Sequence, residues 1–143
     1  MTAVPGADEQ LSGRCLCGAV RFIVTPPFVD AGRCHCRRCQ MRSGQSSSLV
    51  ARVPRSALEI TDGTDELRVW RPATGNPKWF CGLCGTHVFA GELDGDGPVG
   101  LRPGTLEPMP DVQARWHTWL SSMPPWDTVP DDGIPHYEQG VTS

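Results

Sequence analysis

The spacing of the cysteines constrains this chain more than any other feature of its sequence. The seven cysteines of the 143 residues fall into three groups: a CxC pair, Cys15 and Cys17; a CxCxxC cluster, Cys34, Cys36 and Cys39; and a CxxC pair, Cys81 and Cys84. An odd number of cysteines fits a disulfide framework poorly, and pairs at these short spacings are typical of metal ligands. We therefore expect thiolates that bind metal ions rather than disulfides.

The remaining composition favours short strands over long helices. The chain has 16 glycines and 14 prolines, and only 38% of its residues are hydrophobic. Glycine and proline interrupt regular elements, which favours many turns. A core with this little apolar material needs a further source of stability, which a bound metal can supply. The expected fold class is mainly β.

Turn residues divide the chain into short strand candidates without an obvious linker between domains. The candidates are Arg14 to Val24, Phe28 to Arg33, Ser46 to Val53, Ala57 to Thr61, Leu67 to Arg71, Lys78 to Ala90 on both sides of a CGLCG turn, Val99 to Leu106, and Trp116 to Ser121. Residues 1–12 are polar and aperiodic. We expect a flexible tail over 1–12, one zinc-binding domain over 13–137 and a short tail over 138–143.

The charge pattern excludes some classes of partner. The formal net charge is −3, which gives no reason to expect nucleic acid or an anionic membrane as a partner. No apolar run approaches the roughly 18 residues that a membrane span requires, and the first residues, MTAVPGADEQ, lack the pattern of a signal peptide. The expected location is the cytoplasm, where thiols stay reduced.

Two of the cysteine groups together predict a closed metal site. Residues i and i+2 of a strand point to one face, so Cys15 and Cys17 can aim both sulfurs at one point. The CGLCG turn can do the same for Cys81 and Cys84, because its glycines allow a tight backbone. A lone CxxC also occurs as a redox motif, but two pairs in strand-like surroundings favour a structural zinc with four thiolate ligands.

The third group has one ligand too few for a closed site. Cys34 and Cys36 can share a face, and a turn can bring Cys39 to the same point. Three protein ligands and one open position are typical of a catalytic zinc, which polarises a bound group or lowers its pKa. We predict that these three cysteines hold a second, catalytic zinc.

The residues around this cluster have open roles. Alternation places His35 on the face opposite Cys34 and Cys36, which favours packing or support of the ligands over direct ligation. The neighbouring arginines are Arg33, Arg37, Arg38 and Arg42. They can balance the charge of three thiolates, or receive the carboxylates of an anionic thiol.

Three blocks of the sequence resemble one known family. The segments SGRCLCGAVRF, CHCRRCQ followed by SG, and FCGLCGTHVF resemble the glutathione-dependent formaldehyde-activating enzyme family, whose domain also occurs in centromere protein V. The closing segment HTWLSSMPPWDTVPDDGIPHY is similar as well, so the resemblance covers about residues 12–137. It implies a β-tent of short antiparallel strands around a structural zinc on Cys15, Cys17, Cys81 and Cys84, with a second zinc on Cys34, Cys36 and Cys39.

The resemblance also implies a reaction. Members of the family combine glutathione and formaldehyde into S-hydroxymethylglutathione, a carbon–sulfur lyase activity, so the expected partners are a small thiol and an aldehyde. Two alternatives stay open. One is a binding module without enzymatic activity that uses Trp116, Trp119 and Trp126, and the other is a thiol redox sensor based on Cys36 and Cys39.

Overall fold

The structure is a computed structural model that describes residues 9–141. The eleven strands in this range are β1 Leu11–Arg14, β2 Arg21–Val24, β3 Asp30–Cys34, β4 Ser48–Val53, β5 Leu58–Asp62, β6 Leu67–Trp70, β7 Lys78–Cys81, β8 His87–Ala90, β9 Val99–Leu101, β10 Leu106–Glu107 and β11 His117–Thr118. The helix α1 is Arg37–Ser43, and 3-10 turns cover Arg55–Ala57, Thr64–Glu66, Pro103–Thr105 and Leu120–Ser122. The mainly β fold class is confirmed.

The described residues form two compact units, and strand β4 carries the chain from one to the other. The first unit comprises the described residues up to Val29 together with Ala51–Val112, and the second comprises Asp30–Val50 together with the described residues from Gln113 on. Most of the predicted N-terminal tail lies outside the described residues, but its last residues, Leu11 and Ser12, belong to β1. The domain limits at residues 12 and 137 stay predictions.

The first unit is antiparallel and holds the apolar core. One sheet has the strand order β10-β1-β2-β5, and a second series runs from the end of β4 through β9, β8 and β7 to β6. Phe22 and Phe89 meet in the core edge to face, with ring centroids 4.9 Å apart. The other large buried side chains of this core are Leu11, Val20, Val24, Val53, Leu58, Leu67, Val88, Val99, Leu101 and Leu106.

The second unit is built largely around polar side chains. Its strands β3 and β11 pair in parallel, with His117 opposite Arg33 and Thr118 opposite Cys34. Its buried residues include the polar side chains of His35, Gln40, Ser48, His117 and Thr118. Hydrogen bonds therefore contribute to its interior where the first unit relies on apolar burial.

Several sequence-based strands were too long. The segment Arg14 to Val24 is strand only at Arg21–Val24 and at Arg14 itself, because a turn separates β1 from β2. A 3-10 turn at Pro103–Thr105 interrupts the candidate that begins at Val99, before β10 starts at Leu106, and the candidate that begins at Trp116 ends in a 3-10 turn at Leu120–Ser122. Helix α1 was not predicted, since its seven residues carry no apolar helical period.

Replacing Gly13 with alanine is expected to destabilise the first unit. A Cβ atom at this buried position would overlap the ring of Phe22 on the neighbouring strand β2, and that ring has little room to shift because it is buried against Phe89. Overpacking of this kind costs about 1–3 kcal/mol. Urea unfolding of Gly13→Ala should show the loss, whereas Gly97→Ala, which meets no heavy atom within 4 Å, should unfold close to the wild type. Equal stability of both variants would contradict the packing assigned to Phe22.

Candidate metal centres

The first cysteine pair lies in a turn and not in a strand. Cys15 follows β1 and Cys17 occupies the turn that leads to β2. The turn is held by the Gly18 amide, which donates to the Cys15 carbonyl at 3.0 Å, and Gly18 has a left-handed backbone with a φ of 82°. The Val20 amide donates to the Cys15 sulfur at 3.3 Å. The two sulfurs are 3.6 Å apart, so the turn achieves the convergence that we had expected from strand alternation.

The CGLCG turn after β7 has matching local geometry. The Leu83 amide donates to the Cys81 sulfur at 3.4 Å, and the Gly85 amide donates to the Cys81 carbonyl at 2.8 Å. Gly85 has a φ of 79°, a conformation that favours glycine. Gly82 lies close to the Arg68 side chain of β6 and to the Glu66 carbonyl oxygen in the 3-10 turn before β6. A Cβ atom at this position would therefore have little room.

The two turns bring their four sulfurs together, in what we call the four-sulfur cluster: Cys15, Cys17, Cys81 and Cys84. All four sulfurs lie within 4.8 Å of one another, and the Cys17 and Cys81 sulfurs are 3.9 Å apart. A tetrahedral zinc with Zn–S bonds of about 2.3 Å requires sulfurs roughly 3.8 Å apart. The cluster therefore has the donors and the dimensions to hold such an ion.

A threonine that sequence reasoning missed links the two turns. The Thr86 hydroxyl accepts a hydrogen bond from the Leu16 amide at 3.1 Å and lies 3.2 Å from the Cys84 sulfur. This contact is the main reason that the pKa of the Cys84 thiol is lowered to about 5, with help from the Cys17 and Thr86 backbone. The signal available in the sequence was a hydroxyl two residues after the last ligand of the CGLCG turn.

The remaining three cysteines form a separate, three-sulfur cluster: Cys34, Cys36 and Cys39. Cys34 ends β3, Cys36 is the N-cap of α1, and Cys39 lies in the first turn of that helix. The Cys36 sulfur accepts a hydrogen bond from the Cys39 amide at 3.3 Å. All three thiols are half-buried, and no fourth His, Cys, Asp or Glu of residues 9–141 joins their sulfurs within 4.8 Å.

The pKa values of Cys34 and Cys39 are shifted in opposite directions. The hydrogen bond from the Cys39 thiol, with smaller contributions from the Cys36 backbone and Thr118, lowers the pKa of Cys34 to about 5. The same hydrogen bond, together with burial, raises the pKa of Cys39. The lowered pKa favours the thiolate form of Cys34, which is the form that binds metals and attacks electrophiles.

His35 lies outside this cluster. Its side chain is buried, and its Nε2 atom is 3.0 Å from Nδ1 of His117. The Gln40 side chain donates to the His35 carbonyl at 2.8 Å and to the Ser122 carbonyl at the same distance. The side chain thus packs away from the sulfurs, in line with the role favoured from the sequence.

A second group of titratable side chains was not anticipated from the sequence. His117 Nε2 lies 2.7 Å from Asp132 Oδ2, and His136 Nε2 lies 3.3 Å from Asp132 Oδ1. His117 donates its hydrogen to the carboxylate, and this contact is the main reason that the pKa of Asp132 is lowered to about 2. His136 and Asp132 are four residues apart, but only the pairing of β11 with β3 brings His117 beside His35.

The other residues singled out in the sequence have simpler surroundings. Arg37 is exposed and donates to the Gln40 side chain at 2.6 Å, and Arg33 donates to Ser47 at 3.3 Å. Trp126 and Trp119 are exposed by 67% and 38%, whereas Trp116 is half-buried against Gly32.

All seven cysteines are free thiols. No helix in the described range has the length and apolar character needed to cross a membrane.

Fold and sites together define a mainly β protein with two cysteine clusters suited to metal ions. A family profile described as "Glutathione-dependent formaldehyde-activating enzyme" matches residues 10–122. The chain therefore belongs to this family, as its sequence blocks had indicated.

Individual relatives support the family assignment. A protein of Penicillium rubens is 32% identical over 98 residues, which cover 66% of this chain and 51% of the relative. A protein of Podospora anserina is 30% identical over 89 residues, covering 59% and 42%. Both carry a provisional name as glutathione-dependent formaldehyde-activating enzymes. The matched region thus spans about half the length of these curated relatives.

A solved structure has a similar fold. The crystal structure of a Rhodobacter sphaeroides protein superposes with a TM-score of 0.57 at 25% identity, covering 87% of this chain and 98% of that one. The arrangement of short strands is therefore shared over nearly the whole length of that protein.

Removing the Thr86 hydroxyl is expected to weaken metal binding at the four-sulfur cluster. Thr86→Val loses the contacts to Leu16 and Cys84, and the loss of such supporting hydrogen bonds typically lowers metal affinity about 10- to 100-fold. Chelator competition on the purified protein measures the change. Thr86→Ser keeps the hydroxyl and should retain wild-type affinity, so an equal loss in both variants would contradict the role assigned to the hydroxyl.

Proposed function

We propose that this protein is a zinc-dependent enzyme that adds a small thiol, such as glutathione, to an aldehyde, such as formaldehyde, in a reaction of the carbon–sulfur lyase type. The observation that carries the proposal is the three-sulfur cluster. Three half-buried sulfurs converge there without a fourth donor among the described residues. Such a site suits a metal ion that keeps one position open for a substrate.

The two clusters are proposed to bind zinc in different roles. Four thiolates complete a tetrahedral shell, so Cys15, Cys17, Cys81 and Cys84 are the ligands of a structural ion that ties two distant turns together. Cys34, Cys36 and Cys39 are the ligands of the catalytic ion. Soft thiolate ligands favour zinc or iron over magnesium and calcium, and zinc needs no redox partner.

The chemistry of the addition balances without a further reactant. The thiol sulfur forms a bond to the aldehyde carbon, the carbonyl π bond breaks, and the proton released by the thiol ends on the former carbonyl oxygen. A zinc ion on the three-sulfur cluster would lower the pKa of a bound thiol and hold it as the nucleophilic thiolate.

Residues of the chain also favour an anionic thiol. Arg37 and Arg38 are exposed at the start of α1, beside Cys36 and Cys39. A guanidinium group binds carboxylates with paired hydrogen bonds, and glutathione carries two carboxylates. The names of the relatives supply the choice of glutathione and formaldehyde, and the cytoplasm is the proposed location because thiols stay reduced there.

Metal content tests the assignment of the two ions. Native mass spectrometry should find two zinc ions in the wild type and one in a folded Cys36→Ala variant. Cys84→Ala should lose its fold, because the four-sulfur cluster joins turns far apart in the chain. A stable Cys84→Ala protein without zinc would contradict the structural role of this cluster.

Catalysis is tested by exchange spectroscopy on formaldehyde and glutathione. The wild type should accelerate formation and breakdown of the adduct, and Cys36→Ala should lower the rate to the uncatalysed value. Met41→Ala is a matched control on the same helix, because Met41 is 75% exposed and outside the cluster. If the zinc-loaded wild type accelerates exchange with neither glutathione nor other cellular thiols, the proposed activity is wrong.

A further inference from the structure

A hydrogen-bonded chain of side chains starts at His35, the residue between two of the proposed zinc ligands. Nε2 of His35 is 3.0 Å from Nδ1 of His117, whose own Nε2 is 2.7 Å from Oδ2 of Asp132. The other oxygen of Asp132 is 3.3 Å from Nε2 of His136. The exposed fraction of the residue is 3% for His35 and 2% for His117, so the inner part of the chain is closed to solvent.

The carboxylate gives this chain a direction. Asp132 is an acceptor at neutral pH, so Nε2 of His117 carries the hydrogen that points to it. A neutral His117 then has a lone pair on Nδ1, and only Nε2–H of His35 can donate to that lone pair. His35 is left with a lone pair on its own Nδ1. The charge at one end of the chain thus determines the tautomer of the ring at the other end.

The Nδ1 atom of His35 has an unusual environment. Within residues 9–141, it is the only fully buried side-chain nitrogen or oxygen atom that has no hydrogen-bond partner. A buried polar atom without a partner costs about 1–3 kcal/mol, so a donor that is not a side chain of the described residues is expected to complete it. The backbone of His35 is held at both its amide and its carbonyl. The His35 amide donates to the Thr118 carbonyl at 3.0 Å, and the Gln40 side chain donates to the His35 carbonyl.

The distances argue against a third metal site at the outer end of the chain. His117, Asp132 and His136 have the donor types of a two-histidine, one-carboxylate site. However, 2.7 Å between His117 and Asp132 is the length of a charge-assisted hydrogen bond, whereas the sulfur pairs at 3.6 and 3.9 Å match the edges of a zinc tetrahedron. We therefore treat this group as hydrogen-bonded and test metal binding as the contrary outcome.

We propose that Asp132 and His117 are positioning residues for the three-sulfur cluster: they hold His35 as the Nε2–H tautomer and keep its buried Nδ1 available to accept one O–H donor. The donor is a buried water, because an atom that the protein covers completely is out of reach of a thiol or aldehyde bound at the sulfurs. The role in catalysis rests on the proposed function, whereas the tautomer and its dependence on Asp132 do not.

The tautomers can be read directly from the full-length, zinc-loaded protein. Histidine-labelled protein in a long-range 1H–15N correlation spectrum should show His35 and His117 both protonated at Nε2 only. Asp132→Asn keeps the shape but can offer an N–H to His117, and in serine proteases the corresponding change produces the wrong tautomer with intact geometry. The variant should move the His35 hydrogen to Nδ1. His136→Gln, at the other oxygen of Asp132, is the matched control and should leave the tautomers unchanged.

Several outcomes overturn the proposal. One is a His35 ring protonated at Nδ1 in the wild type, which needs no variant that might fail to fold. Another is an unchanged His35 tautomer in a folded Asp132→Asn protein. A third zinc in the wild type that disappears in His136→Gln would make the group a metal site instead. A wild-type His35 Nδ1 resonance that shows no hydrogen bond would remove the acceptor role.

Activity separates this inference from the proposed function. With zinc content unchanged, Asp132→Asn should lower kcat about 10- to 100-fold, the range typical of residues that orient metal ligands without binding the metal themselves. A shifted tautomer with wild-type kcat would overturn the positioning role while the proposed reaction stands. A wild type without thiol–aldehyde exchange would refute the proposed reaction, and the tautomer results would still decide how Asp132 acts on His35.

Discussion

The convergence of four thiols on one point is the constraint on which the first unit depends. Thiolates within 4.8 Å of one another repel, and without a cation they cannot all ionise. The pKa values of two exposed thiols of the cluster reflect this repulsion. The pKa of Cys84 is lowered to about 5, whereas the pKa of Cys17, despite a hydrogen bond from the Ala19 backbone that lowers it, is raised to about 11 by desolvation and by neighbouring thiols. A divalent cation removes this conflict, because it stabilises all four as thiolates. Without one, the turns that present the cysteines would be held by amide–sulfur and amide–carbonyl hydrogen bonds, by the Thr86 hydroxyl and by the burial of Cys15 and Cys81.

The second unit is organised by hydrogen bonds between polar side chains. Gln40 links helix α1 to the backbone on either side, through the carbonyls of His35 and Ser122. His117 links strand β11 to both His35 and Asp132. Such contacts are directional, so they fix the orientation of the residues between them more closely than apolar packing does. Such orientation matters for the three-sulfur cluster, because no fourth His, Cys, Asp or Glu of residues 9–141 joins its sulfurs.

The sequence predicts the features that follow from the spacing of its residues, but not the contacts that form when distant segments of the chain pair. The grouping of the cysteines into four and three, the left-handed glycine after Cys84 and the strands on both sides of the CGLCG turn follow from local chemistry. Helix α1 could not be predicted from periodicity, because Arg37–Ser43 depends on its ends: Cys36 caps the start, and Gly44 closes the end in a left-handed conformation.

The contacts missed by sequence reasoning join residues far apart in the chain. The hydrogen bond between His35 and His117 spans 82 positions, and that between Leu16 and Thr86 spans 70. His35 and His117 have no local pattern that distinguishes them from other histidines, and Thr86 is marked only by its position two residues after Cys84. The parallel pairing of β3 with β11 creates the first contact, and the approach of the two cysteine-bearing turns creates the second. A single sequence without its fold does not show that either pair is in contact.

The two CxC pairs show why one segment contributes two sulfurs to its cluster and the other contributes three. In CLCG, Gly18 follows the second cysteine and turns the chain back through a left-handed conformation, so the pair stays at the end of a hairpin where a second turn can complete it. In CHC, Arg37 follows the second cysteine and begins a helix, which contributes one further sulfur from its first turn and then leads away. The residue after the second cysteine therefore decides how many sulfurs each segment contributes to its cluster: two from CLCG and three from CHC with the helix that follows it. Four thiolates around a divalent ion leave a charge of −2 and no vacancy, whereas three leave −1 and a position that a thiol can take, beside exposed arginines suited to its carboxylates.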